Sequence, residues 1–181
     1  MGRNARPRKA YRPHRVDTDP VETAIALAAK LLPSQRRMLR QPLRVAFSGL
    51  LRGTGGWPAW CAMADALNVA EQLALRQICS DRMPEIEAAQ SALHALHTRH
   101  AARGTWTLRP EEITALRVGR FFHFTQLAYC TQGELREAIL AVQHKVAQAL
   151  AGNASPSAKV CVGGIHPATS TTTHKPTEAT A

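Results

Sequence analysis

From Trp57 to Cys79 the chain carries apolar residues at most angles of a helical wheel, Trp60, Ala64, Leu67, Ala70, Leu73, Ala74 and Ile78 among them. A helix that is apolar around most of its circumference has no side to offer to water and must be enclosed by other elements. This segment therefore predicts a fold built around a central helix. The rest of the chain reads as helical too, since no segment shows strand alternation and no repeat of fixed period appears.

Asp19-Pro20-Val21-Glu22 offers an N-cap, a proline at the first helical position and a capping-box acid, opening a helix that should run to about Leu32. Pro33-Ser34 restarts the chain into a second helix, Ser34 to Arg52, stopped by Gly53 and Thr54-Gly55-Gly56, with Pro42 expected to kink or split it. After Ser80-Asp81, Met83-Pro84-Glu85 opens a helix to about Ala102, ahead of Gly104, with the apolar stripe Ile86, Leu93 and Leu96. A fifth helix starts near Pro110, where Glu111 and Glu112 suit the helix dipole, and continues to about Tyr129. Its apolar face is Ile113, Leu116, Phe121, Phe124, Leu127 and Ala128. Thr131-Gln132-Gly133-Glu134 is a capping box ahead of Leu135, Ile139, Val142, Val146 and Ala149, and Gly152-Asn153 stops that last helix. The expectation is an all-α fold, a compact bundle of five to six helices over residues 19–152, with connections short enough for antiparallel neighbours. Residues 1–18 read as a basic disordered arm, and 153–181 as a disordered Ser/Thr/Pro-rich tail with too little apolar material to pack.

Charge is distributed unevenly along this plan. The first 52 residues hold twelve Arg or Lys against Asp17, Asp19 and Glu22, so nearly all of the net +10 sits there, while residues 53–153 balance nine bases with nine acids. The arm contributes Arg3, Arg6, Arg8, Lys9, Arg12 and Arg15, with Tyr11 among them and Pro7 and Pro13 keeping it extended. Such an arm can follow a phosphate backbone, enter a minor groove or stack on an unpaired base. On the second helix Arg36, Arg40, Arg44 and Arg52 form an i, i+4 ladder through Ser48, with Arg37 alongside and Leu39, Leu43, Phe47, Leu50 and Leu51 opposite. That segment has no acid, so its like charges repel unless something anionic meets them. Arm and ladder together are the candidate nucleic-acid-binding residues. A helix-turn-helix threaded through Asn68 to Leu93 fails, because the turn glycine falls on Ala74 or Leu75 and the recognition helix would open with Pro84-Glu85. The expected function is a nonspecific nucleic-acid-associated accessory or regulatory protein. The alternative is a protein-interaction module, a phage- or mobile-element-encoded inhibitor or assembly factor, that docks an acidic partner on the Arg face of residues 36–52.

Other constellations carry less. His94, His97 and His100, with His123 and His144 on later helices, suggest a metal, but successive steps of three fan the first three over about 120° of a helix. His97 and His100 flank the apolar stripe, while His94 is expected on the polar side with Glu87 and Gln90. Asp65, Asn68 and Glu71 form a polar strip expected to face a loop, cap another helix or pair with Arg76. Cys61, Cys79, Cys130 and Cys161 lack zinc-like spacing and read as reduced thiols, Cys130 as a packing residue. No GxxxxGK[ST], GxGxxG, HExxH or GxSxG motif occurs, so no cofactor or metal is called for and catalysis has no supporting signal. Without a secretory apolar run or a membrane-length apolar stretch, the expected location is cytoplasmic, with no membrane partner.

Arg8-Lys9-Ala10-Tyr11-Arg12-Pro13, a helical body containing Asn68-Val69-Ala70-Glu71, and a last helix opening at Gly133-Glu134 resemble small uncharacterised proteins of bacterial and prophage genomes. The resemblance runs from the arm through the last helix. That family has no established activity, so the resemblance implies a bacterial or phage setting and transfers no site residue.

Overall fold

A computed structural model of the protein describes residues 19–151, and the basic arm and the Ser/Thr/Pro-rich tail lie outside the described residues. Six helices follow one another: α1 (Pro20–Ala28), α2 (Pro33–Leu51), α3 (Gly56–Leu75), α4 (Met83–Arg103), α5 (Pro110–Tyr129) and α6 (Gln132–Leu150), with a single 3-10 turn at Ser80–Arg82 before α4. The fold is all-α, and the only β-type pairing among the described residues is an isolated bridge between Lys30 and Thr131. No helix among them is long and apolar enough to cross a membrane.

The helix starts follow from their caps. Asp19 accepts from the Val21 amide at 2.8 Å. Thr131 and Glu134 close a reciprocal box, the Thr131 amide donating to Glu134 Oε2 at 2.7 Å and the Glu134 amide to Thr131 Oγ1 at 3.2 Å. Two helix ends differ from the sequence expectation. The first helix stops at Ala28 instead of near Leu32, because the next residues are claimed by α6: Lys30 bridges to Thr131, and the Gln132 amide donates to Ala29 O at 2.9 Å. Leu31 is buried there, and Pro33 holds Leu32 extended. The central helix stops at Leu75 instead of Cys79, since Gln77 and Cys79 both take positive φ, 65° and 56°. Gln126 of α5 clasps this turn, donating from Nε2 to Ala70 O at 2.9 Å and to Ile78 O at 3.0 Å. Pro42 does not split α2, which runs through it unbroken. The proline and Met38, whose carbonyl it leaves without a helical donor, both lie on the exposed side, where water can substitute.

α3 is the axis of the molecule and touches α2, α4, α5 and α6. Its Trp60, Met63 and Leu67 join Phe47 and Leu50 of α2, Leu93 and Leu96 of α4 and Leu116 of α5 in the main core. Further along, Leu73 meets Leu31, Leu127, Cys130, Leu135 and Ala138 in a second cluster that fixes α6. α4 and α5 come close together at Gly119, where an added Cβ would lie 2.5 Å from Ala89 Cβ.

Polar side chains tie these helices together. Gln90 is buried, not on a polar outer side with His94, and its Nε2 donates to Asn68 Oδ1 at 3.3 Å and to Glu71 Oε2 at 3.4 Å. Glu71 also pairs with Lys145 at 3.6 Å, while Arg76 turns away from the strip to Glu137 at 3.7 Å. Buried Glu112 holds Arg99 in a two-pronged ion pair at 2.7 and 2.5 Å and accepts from the Arg109 amide at 2.8 Å. This joins the end of α4 to the start of α5. Burial raises the Glu112 carboxyl, but Arg99 and the Arg109 amide pull it further down and leave it below its ordinary value.

The histidines of α4 pack against indoles. His100 stacks on Trp106 at 4.0 Å between centroids, and His97 lies 5.1 Å from Trp60 and 5.5 Å from Trp57. His94 is exposed. Among the described residues no three His, Cys, Asp or Glu side chains are grouped to hold a metal ion.

Candidate polyanion-binding face

The ladder of α2 lies on the flank of that helix that turns toward α5. Arg36, Arg37, Arg40 and Arg44 line, with Pro33, a shallow depression of about 420 Å³. Arg37, Arg44 and Arg52 are exposed and Arg36 is half-buried. Arg52 sits one turn beyond the depression and donates to Ser48 Oγ at 3.1 Å.

Arg40 is the exception, for it anchors the face instead of extending from it. Its Nη2 donates to Phe124 O at 2.6 Å, its guanidinium lies 5.3 Å from the Phe124 ring centroid, and its buried Nε has no partner among the described residues. Burial first, then Arg36 and Arg44, push this guanidinium below its ordinary value, although an arginine at that depth stays charged.

α5 extends the face with two arginines that charge counting along the chain assigns to the neutral part of the molecule. Arg120 lies over the Phe47 ring at 4.4 Å and 5.6 Å from Phe124, and burial followed by Arg44 and Arg117 lowers its pKa. Arg117 is exposed, and four residues on, Phe121 presents its ring to solvent at 63% exposure. The sequence places Phe121 on the apolar face, but its ring stands largely in solvent, edge-on to Phe122 at 5.5 Å. Arg36, Arg37, Arg40, Arg44, Arg117 and Arg120 thus share one surface across two helices. The five ion pairs among the described residues include none of them.

Two consequences follow from this geometry. Cations that repel one another and lack carboxylate partners among the described residues form a local positive potential that an anion relieves. Arginine adds planar donors suited to phosphate oxygens, and the exposed ring of Phe121 offers a face for stacking. The candidate residues Arg3, Arg6, Arg8, Lys9, Tyr11, Arg12 and Arg15 lie outside the described residues.

Comparison with models of protein families, with curated proteins and with solved structures yields no match for this chain.

Proposed function

We propose that the protein is a nonspecific nucleic-acid-associated accessory factor, acting in the cytoplasm of a bacterium or in a phage setting, that engages phosphates through the arginine face of α2 and α5. The observation that carries this reading is the convergence of six arginines from two helices with no carboxylate among the described residues paired to any of them. The flanking Phe121 supports contact with unpaired bases as well as with duplex backbone. The helix-turn-helix register fails and Arg40 and Arg120 are held against Phe124 and Phe47, so the reading is of contacts that position the protein on nucleic acid without reading bases.

The test is binding of the full chain to random-sequence duplex and single-stranded DNA by fluorescence anisotropy across a salt series. Affinity is expected to fall steeply with salt. Combining Arg44→Glu with Arg117→Glu should flatten the log–log slope by about two, one for each phosphate that is no longer neutralised. Removing residues 1–15 should flatten it further. Absence of binding at low salt, or a slope indifferent to both changes, overturns the reading. Tight binding to an acidic protein with indifference to DNA would favour the interaction module instead.

A further inference from the structure

The chain has four phenylalanines, one in α2 and three in α5. Three of them carry a guanidinium over the ring: Arg120 lies 4.4 Å from the Phe47 centroid, Arg40 5.3 Å from Phe124 and Arg82 5.2 Å from Phe122. Phe121 is the exception. No cation of the described residues lies over it, it is 63% exposed, and its one aromatic neighbour among them is Phe122, met edge-on.

The position of that ring on α5 sets it at the margin of the arginine face. Arg117, one turn earlier, is its neighbour on the helix surface, because side chains four apart lie one above the other. Arg120 precedes it and lies within electrostatic reach of both Arg117 and Arg44 of α2, so the positive surface runs from Phe121 across to α2 without a break. On the far side it ends. Arg82, over Phe122, is paired with Asp81 at 3.0 Å and Glu85 at 3.3 Å, and these carboxylates turn a polyanion back toward α2.

An uncovered ring set at the edge of such a surface suits an occupant that is both anionic and flat. Nucleic acid is anionic along its backbone and flat at its bases, whereas a carboxylate surface would answer the arginines alone. In a duplex every base face is already stacked on its neighbours, and Phe121 could reach one only by parting a step, which costs at least as much as the new stacking returns. An unpaired base offers its face at no such cost. We propose that the arginine face selects single-stranded nucleic acid, and that Phe121 makes the selection by stacking on an unpaired base whose flanking phosphates lie on Arg117 and Arg44. This rests on the arginine face being a nucleic-acid surface, and it adds which form is held and by which residue. The contact tolerates any sequence, since every base has a π-face.

Anisotropy of the full-length protein with three labelled probes of equal length separates ring from charge: oligo(dT), an abasic single strand and a random-sequence duplex. The abasic strand keeps every phosphate and has no base to stack. Oligo(dT) is expected to bind about tenfold tighter than the abasic strand. Phe121→Ala should abolish that difference by weakening oligo(dT) about tenfold at every salt concentration, with the log–log slope unchanged and the abasic strand and duplex within about twofold. Phe121→Leu should behave like Phe121→Ala, and Phe121→Tyr like the wild type. At so exposed a position none of the three should move the melting temperature appreciably. The proposal is overturned if oligo(dT) binds no better than the abasic strand, if Phe121→Ala leaves oligo(dT) unaffected, or if it weakens the duplex equally. Any of these outcomes, with a slope that Arg44→Glu and Arg117→Glu still flatten, leaves nonspecific binding by the arginine face standing. Absence of binding to all three probes at low salt overturns both.

Discussion

His123 sets how the protein responds to acid. Burial, and then the positive charge of Arg40, hold its pKa down at about 4, against an ordinary value of 6.5. The unfolded chain takes up that proton first, so stability is lost as pH falls from about 6.5 toward 4, by about 3 kcal/mol if the full shift is realised. Asp65, shifted upward, works in the opposite sense and offsets part of the loss. In urea titrations at stepped pH, His123→Leu should remove most of the slope in this window, and an unchanged slope would refute the assignment. Glu112 has the complementary signature. Its carboxyl lies below its ordinary value of 4.5, so the stability it contributes is complete above that value and disappears below it. Because the Arg99 pair is largely out of water, Arg99→Met should cost about 3 kcal/mol, mostly through the stranded carboxylate. A surface ion pair would cost a fraction of that, and urea midpoints distinguish the two. Neither role is apparent from sequence spacing, which marks Glu112 only as a first-turn acid and His123 only as one of several histidines.

At the level of elements the helices were legible because each start is written locally. Asp19-Pro20, Met83-Pro84, Pro110-Glu111-Glu112 and Thr131-Glu134 fix their helices within the sequence itself. The ends that differ, Ala28 and Leu75, are set by partners distant in sequence, α6 in one case and Gln126 in the other. The same distinction applies to the candidate site. The ladder on α2 shows in the sequence because its arginines are four apart, whereas Arg117 and Arg120 join it only through the packing of α5 on α2. Phe47 and Phe124, which look like plain core residues, are the rings on which Arg120 and Arg40 rest. Gly119 reveals how tightly such packing is drawn. Alanine is the better helix former by about 1 kcal/mol, yet its methyl would collide with Ala89 and press on Leu67 Cδ2 at 3.1 Å. Gly119→Ala is therefore expected to destabilise by about 2 kcal/mol, as overpacking does, and to lower the melting temperature. A rise would mean that α4 and α5 have room to part.

Across the whole molecule, the net charge of +10 is less informative than its arrangement. Since the cross-helix arginines repel one another, added salt should raise the melting temperature of the wild-type protein at low ionic strength. The exposed ion pairs, which salt weakens, contribute too little to reverse that sign. In the Arg44→Glu, Arg117→Glu protein the rise should shrink or vanish, and calorimetry at stepped salt would decide. α2 gives the molecule a further property, for it is a wall shared by two compartments. Met38, Leu39 and Leu43 border a groove of about 650 Å³ against α6, Arg36, Arg40 and Arg44 line the arginine depression, and Arg40 is fastened to Phe124, the neighbour of His123. A rigid helix cannot be displaced on one flank and remain in place on the other. Whatever factor binding on one flank of α2 applies to affinity on the other must be returned unchanged in the opposite direction, so, on the proposed function, occupancy of the arginine face can be assayed from the far side of the same helix.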